Sequence, residues 1–254
     1  MSLAPTERFS SRVENYVKYR PGYPPAVPRL LAETCGLTPA SLLADVGCGT
    51  GLLARAFLEQ GHRVVGVEPN HEMREAGARL LADFPAFTAV AGTAEATTLP
   101  DASIDLVVAG QAFHWFTPAA TRREFVRILK PGGWTALVWN ERRITGSDFL
   151  VGFDALLRRC APEYEGSNHR NVDAAAIAAF FAPGEVRLRQ FETAQAFDAA
   201  GIAGRLLSSS YAPEPGHPNH QPMLAALSAL VARTGDAGQV TLTYDTKVWF
   251  GRLS

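Results

Sequence analysis

Asp45-Val46-Gly47-Cys48-Gly49-Thr50-Gly51 follows the apolar run Ser41 to Asp45 and precedes a helical stretch, Leu52 to Glu59. Glycines at alternate positions let a strand turn sharply into a helix and bring bare backbone amides to a ligand at the helix's positive end. A dinucleotide fingerprint needs a third glycine at position 52, where Leu52 stands. That departure weakens the NAD or FAD reading. Taken alone, the motif is also compatible with a tight strand-to-helix corner that binds nothing.

Three further landmarks follow in order. His62-Arg63-Val64-Val65-Gly66-Val67-Glu68 alternates into a β-branched strand and ends in an acid about twenty residues past the glycines, where a carboxylate can accept both hydroxyls of a ribose. Pro69 and Asn70 turn the chain into a helix, His71 to Leu81, with Met73 in its first turn. The loop Gly92 to Pro100 leads to Ile104–Gly110, a continuous apolar run suited to a buried parallel strand. Gln111-Ala112-Phe113-His114-Trp115-Phe116 lies just beyond, at the strand end where open α/β sheets hold ligands. Arg127-Ile128-Leu129-Lys130-Pro131-Gly132-Gly133 ends a helix before the strand Trp134 to Trp139.

These landmarks resemble the class I S-adenosylmethionine-dependent methyltransferases. The tail Tyr16 to Pro24, of the form Y-x-x-Y-R-P-x-Y-P, resembles the aconitate-methyltransferase-like small-molecule group. The resemblance implies that Gly47, Cys48, Gly49, Thr50 and Gly51 lie against the carboxypropyl part of the cofactor and that Asp45 holds its amino group. Glu68, with Pro69 beside it, is then the ribose acid. Thr93, Ala94 and Glu95 belong to the adenine loop, where a backbone amide and a carboxylate can read the adenine edge. Met73 is either core filler or an adenine neighbour. Gln111, His114 and Trp115 face the reacting methyl, and Tyr16, Tyr19 and Arg20 form part of a lid over the cofactor.

The expected architecture is α/β, a doubly wound, mostly parallel seven-stranded Rossmann-like sheet with a small helical cap. The chain divides into an N-terminal lid and helix (1–36), a cofactor-binding core (37–145) and the rest of the sheet (146–254), all one domain. A cap insertion spans about 194–236, between the alternating strands Val186 to Phe191 and Gln239 to Phe250. Helices are expected over Pro25 to Gly36, Asp148 to Cys160 and Asp173 to Phe181, with two cap helices over Asp198 to Tyr211 and Gln221 to Arg233.

Composition bounds the function. The 254 residues are 47% hydrophobic with a formal net charge of -1, which fits one globular domain and gives no electrostatic footprint for nucleic acid. No membrane span is evident, and Met1 to Arg12 lacks a secretory apolar core, so a cytoplasmic location is expected. Three cysteines, Cys35, Cys48 and Cys160, are too few and irregular for a disulfide framework or a zinc site. A monomer or homodimer is expected.

The resemblance implies transfer of a methyl group from S-adenosyl-L-methionine to a small molecule, leaving S-adenosyl-L-homocysteine. An oxygen nucleophile such as a carboxylate is ionised at neutral pH and needs no base, whereas a phenol, amine or carbon acid usually does. His114 is the candidate base or orienter, or else a histidine that only bonds its own loop. Trp115 is either an aromatic wall for the sulfonium, worth ~0.5–2 kcal/mol, or plain packing. Arg20, Arg142 and Arg143 offer a bidentate grip on a carboxylate, with Tyr19, Asn140, Ser210 and Tyr211 as further substrate contacts. A nicotinamide oxidoreductase and a non-catalytic cofactor-binding protein are the two rival readings. Gln111-Ala112-Phe113-His114 stands where amide-nitrogen methyltransferases carry N/D-P-P-Y/F, which argues against a nucleic-acid substrate.

Overall fold

The computed structural model describes residues 18–165 and 174–253. Seven strands form one sheet: β1 (Leu42–Val46), β2 (Arg63–Val67), β3 (Phe87–Val90), β4 (Ile104–Gly110), β5 (Leu129–Arg142), β6 (Val186–Phe197) and β7 (Val240–Gly251). Their order is β3-β2-β1-β4-β5-β7-β6. The first five are mutually parallel, and β7 runs antiparallel to both β5 and β6. The strand order reverses beside β1, so the carboxyl ends of β1 and β4 diverge into a crevice suited to a ligand.

Period-two alternation sorts the strand side chains onto two faces. Ala44, Val46, Val65, Val67, Val107 and Leu137 pack with Phe125 and Ile128 of α4 (Pro118–Ile128) and with Ile177, Phe180 and Phe181 of α6 (Ala174–Phe181). Leu43, Val64, Leu106, Val108 and Val138 meet Val27 and Leu31 of α1 (Ala26–Cys35) and Leu53 and Phe57 of α2 (Leu52–Leu58). Each such large side chain contributes about 1.5–3 kcal/mol by leaving water. The helix α3 (His71–Leu80) starts at Asn70, whose side chain accepts the Met73 amide at 2.8 Å. That cap positions Met73 in the first turn, beside the glycine loop.

A third cluster builds the cap. α7 (Ala199–Leu207) and α8 (His220–Thr234) pack with α5 (Asp148–Cys160) over the ends of β6 and β7. A Cβ on Gly152 would fall 2.4 Å from Leu230, so α5 and α8 approach closely only because glycine stands there. The cap therefore includes α5. Two strands also run further than their sequence pattern indicates. β6 continues to Phe197, in register with β7 along its whole length, so the cap helices begin at Ala199. β5 begins at Leu129, and its pairing with β4 shifts register between Ile104 and Leu106, which accommodates Lys130 to Gly133 as an irregularity where a turn was expected. Among the described residues no helix is long and apolar enough to cross a membrane.

Candidate functional site

The carboxyl ends of β1, β2 and β4 and the loop after β3 enclose a cavity of about 260 Å³. From the glycine loop it takes Gly47 and Gly49, and from the end of β2 it takes Glu68, Pro69, Asn70 and Met73. Thr93, Ala94 and Glu95 form a second wall, and Gly110, Gln111, Ala112, Trp115 and Phe116 form a third. Ten residues singled out from the sequence thus come together. Ala112 and Phe116 belong to the stretch expected at this strand end, whereas Asn70 and Gly110 were not anticipated, although Asn70 carries a readable helix-cap signal.

Gly47 shows why the loop is glycine-rich. Its φ is +70°, and a Cβ there would lie 2.7 Å from that of Ala112, across the cavity floor. Gly51, at φ +82°, leaves room for Leu81, whose Cδ1 would sit 2.5 Å from an added Cβ. Gly51, Cys48 and Thr50 do not line the cavity; they form its backing. The Cys48 thiol packs on Gly66, and burial raises its pKa well above the ordinary value, with Asp45 and Glu68 adding to the effect.

Glu68 stands one residue past β2. Its Oε2 accepts the Gly49 amide and its Oε1 the Asn70 amide, both at 2.9 Å. Burial raises its pKa, against the opposing pull of those two amides and of Arg74. Each oxygen retains acceptor capacity.

Asp45 behaves differently. It is 1% exposed, faces α2, and accepts the Ala54 amide at 3.0 Å through Oδ2, so it caps that helix from within the strand. Its Oδ1 has no hydrogen-bond partner among the described residues. Burial pushes its pKa up to about 7, the Ala54 amide opposes that shift, and Glu68 adds to it. The expected direct contact of Asp45 with a ligand's amino group is not supported, because Asp45 is absent from the cavity wall.

Glu95 points toward the start of α4. Its Oε1 accepts the Thr117 amide at 2.8 Å and the Thr121 hydroxyl at 3.4 Å. Burial pushes its pKa up, but bonds from the Thr117 amide, its own amide, Thr93 and Thr121 outweigh this and leave it below its ordinary value. The loop itself hangs on Glu124, whose Oε1 accepts the Thr97 amide at 2.7 Å and hydroxyl at 2.5 Å while Arg127 grips the carboxylate. Sequence reasoning did not find Glu124, since its partner lies 27 positions away.

Gln111 sits at φ +56°, a conformation few non-glycine residues adopt, and its Nε2 donates to the Asn140 carbonyl at 2.9 Å. Trp115 reaches the cavity; His114 stacks on Trp115 with ring centroids 4.8 Å apart but is not part of the wall. The expectation that His114 faces the reacting group is therefore not supported by its position.

The substrate arginines also require correction. Arg142 donates to the Tyr164 hydroxyl at 2.7 Å and to Asp154 at 3.2 Å, with the Phe153 ring 5.0 Å away, which anchors α5 to the sheet. Arg143 is bidentate on Asp245 and also pairs with Glu192 at 2.7 Å. Neither lines the cavity. Arg20 donates to the Ser208 carbonyl at 3.0 Å, and Tyr19 packs on Gly204 of α7, so both join the N-terminal segment to the cap. Ser210 and Tyr211 lie in the cap, with Tyr211 edge-on to Tyr164 at 5.0 Å. Tyr16 lies outside the described residues. No group of three or more metal-ligating side chains occurs among the described residues.

A profile described as a methyltransferase domain matches residues 44–137, the stretch that supplies nearly every wall of this cavity. Residues 44–137 thus carry the likeness to a methyltransferase domain. An uncharacterized methyltransferase of Mycobacterium tuberculosis is 42% identical over 135 residues, covering 53% of this chain and 52% of its own. Another, from Schizosaccharomyces pombe, is 35% identical with 53% of each covered. The chain spans about half the length of the curated relatives it matches. A solved protein of Anaeromyxobacter dehalogenans, described as a candidate type II methyltransferase, superposes with TM-score 0.67 at 25% identity, over 92% of this chain and 98% of that one. A candidate S-adenosylmethionine-dependent methyltransferase of Methanococcus maripaludis shares the fold, with TM-score 0.55 at 22% identity over 74% and 91% of the two chains. The structural likeness therefore extends over most of the chain, whereas the family profile is confined to residues 44–137.

Proposed function

We propose that the chain is an S-adenosylmethionine-dependent methyltransferase acting on a small molecule, at an oxygen nucleophile such as a carboxylate. The observation that carries this is the pairing of Glu68 with the glycine loop on one cavity wall. A carboxylate with acceptor capacity on both oxygens suits a ribose diol, and Gly47 and Gly49 leave room for an aliphatic chain beside it. Ala94 and Glu95 line the same cavity, within the loop that Glu124 steadies. The residues present fit the cofactor.

When bound, S-adenosylmethionine supplies an electrophilic methyl group on a sulfonium and leaves as S-adenosylhomocysteine. The chain's own residues bind, orient and exclude water. Glu68 accepts hydroxyls, Gly47 and Gly49 permit close approach, and Trp115 with Phe116 keeps one wall apolar. Among the described residues the wall contains no histidine, lysine, tyrosine or cysteine, and its only titratable groups are Glu68 and Glu95. Glu95 is held below its ordinary pKa and is a poor base. That supports an acceptor that arrives already ionised.

Calorimetric titration with S-adenosylmethionine, S-adenosylhomocysteine and NADH tests the cofactor. Micromolar binding of the first two and none of the third is expected; binding of NADH alone would overturn the proposal. Transfer of labelled methyl to carboxylic acids, against amines and phenols as controls, tests the acceptor.

A further inference from the structure

Asn140 joins three parts of the molecule. Its backbone carbonyl accepts Gln111 Nε2, its Oδ1 accepts the Thr246 hydroxyl at 2.6 Å, and its Nδ2 donates to the Gly22 carbonyl at 3.1 Å. The residue is 5% exposed, between the cavity on one side and the N-terminal segment on the other. The sequence suggested a substrate contact, but the side chain's oxygen and one of its N–H groups are already engaged within the protein.

The segment 18–23 runs from the cap to the cavity. At the cap, Arg20 donates to the Ser208 carbonyl and the Tyr19 ring fills the space where a Cβ on Gly204 would sit, 2.0 Å from Cε2. Gln195 Nε2 reaches the Tyr19 carbonyl at 3.5 Å. At the other end the Tyr23 hydroxyl lies against Gly110, where a Cβ would fall 2.6 Å away, and Gly110 lines the cavity. Between these anchors the Asn140 amide holds Gly22.

We infer that Asn140 is a positioning residue that seats the segment 18–23 against the cavity wall, and that ligand affinity depends on it through that segment. The affinity half rests on the cofactor reading above. The seating half does not.

The test combines amide hydrogen exchange over residues 18–25 with S-adenosylhomocysteine titration, on the wild type, Asn140→Asp and Gly204→Ala. Asn140→Asp keeps an acceptor for Thr246 but sets a carboxylate oxygen against the Gly22 carbonyl. Gly204→Ala evicts Tyr19 from the cap end without touching the cavity, and it keeps the inference falsifiable if the first variant does not fold. Both are expected to speed exchange in the segment and to weaken S-adenosylhomocysteine by a similar factor, about fivefold or more. The double variant should be no weaker than the worse single one, because both act through one element. Weakened binding with unchanged exchange in Asn140→Asp would overturn the inference, as would faster exchange with unchanged affinity. If the wild type fails to bind S-adenosylhomocysteine, the cofactor reading falls and the affinity half with it, while exchange still decides the seating.

Discussion

Replacing Glu68 by glutamine tests the proposed nucleoside site with little change in shape. In the wild type the two carboxylate oxygens each accept one backbone amide, from Gly49 and Asn70. A glutamine oxygen can replace only one of these acceptors, and its NH₂ group must then face the other amide, donor against donor. The variant also loses the charge that would strengthen a bond from a ribose hydroxyl. One charge-assisted hydrogen bond is worth about 1.5–3 kcal/mol, so affinity should fall about 10- to 150-fold. The loss should be equal for S-adenosylmethionine, S-adenosylhomocysteine and methylthioadenosine, which share the ribose, and small for adenine. Calorimetry on the four ligands measures it. An effect below about threefold on all ribose ligands, or an equal loss for adenine, would refute the assignment of Glu68 to the ribose.

Three other outcomes are expected. Because Asp45 has a folded pKa near 7, the folded state binds more protons than the unfolded one between about pH 4 and 7, so the wild type loses stability as pH rises through that window. Asp45→Asn should remove that decline and gain stability relative to wild type from pH 5 to pH 8; parallel melting curves would contradict it. Glu124 is lowered to about 2, chiefly by its bond with Arg127, so its stabilising contribution is present above its ordinary value and lost as pH falls toward 2. Glu124→Gln should therefore flatten the acid limb of the melting profile and also weaken adenine binding by freeing Thr97. Gly51→Ala must strain a φ of +82° and displace Leu81, and a loss of about 1–3 kcal/mol is expected in denaturant unfolding.

Much of the core was legible because local patterns and tertiary outcome agree there. Ile104–Gly110 and Asp148–Cys160 occupy the bounds their apolar patterns indicate, and the acid ending the second strand stands on the cavity wall. The extension of β6 was not legible: Ala194-Gln195-Ala196 is weakly β-forming, and only its ladder with β7 holds it extended. The three arginines look alike in sequence. What separates them is distant: Asp245 lies 102 positions from Arg143, and Ser208 lies 188 from Arg20. Asp45 was readable as an acid at the strand end, but its enclosure was not. Period-two alternation puts it on the face of Leu43, which α2 covers, so adjacency to the glycines did not place it in the cavity.

Asp45 and Glu68 differ by two positions of strand register. Asp45 pairs with Gly66, inside the sheet, whereas Glu68 lies past the last paired residue, Val67. The first carboxylate is therefore enclosed by α2 and the second emerges at the carboxyl edge. Between them they bind the turn at Gly49, from the cavity side, and the first turn of α2 at Ala54, from the core side. The glycine loop needs this because Gly47, Gly49 and Gly51, all at positive φ, each lose more backbone freedom on folding than residues with a side chain do. A ligand meeting the loop finds that freedom already spent. The burial of Asp45, with the raised pKa it imposes, is on this view part of how the cavity is pre-formed, and Glu68 is the carboxylate of the pair that remains accessible to a ligand.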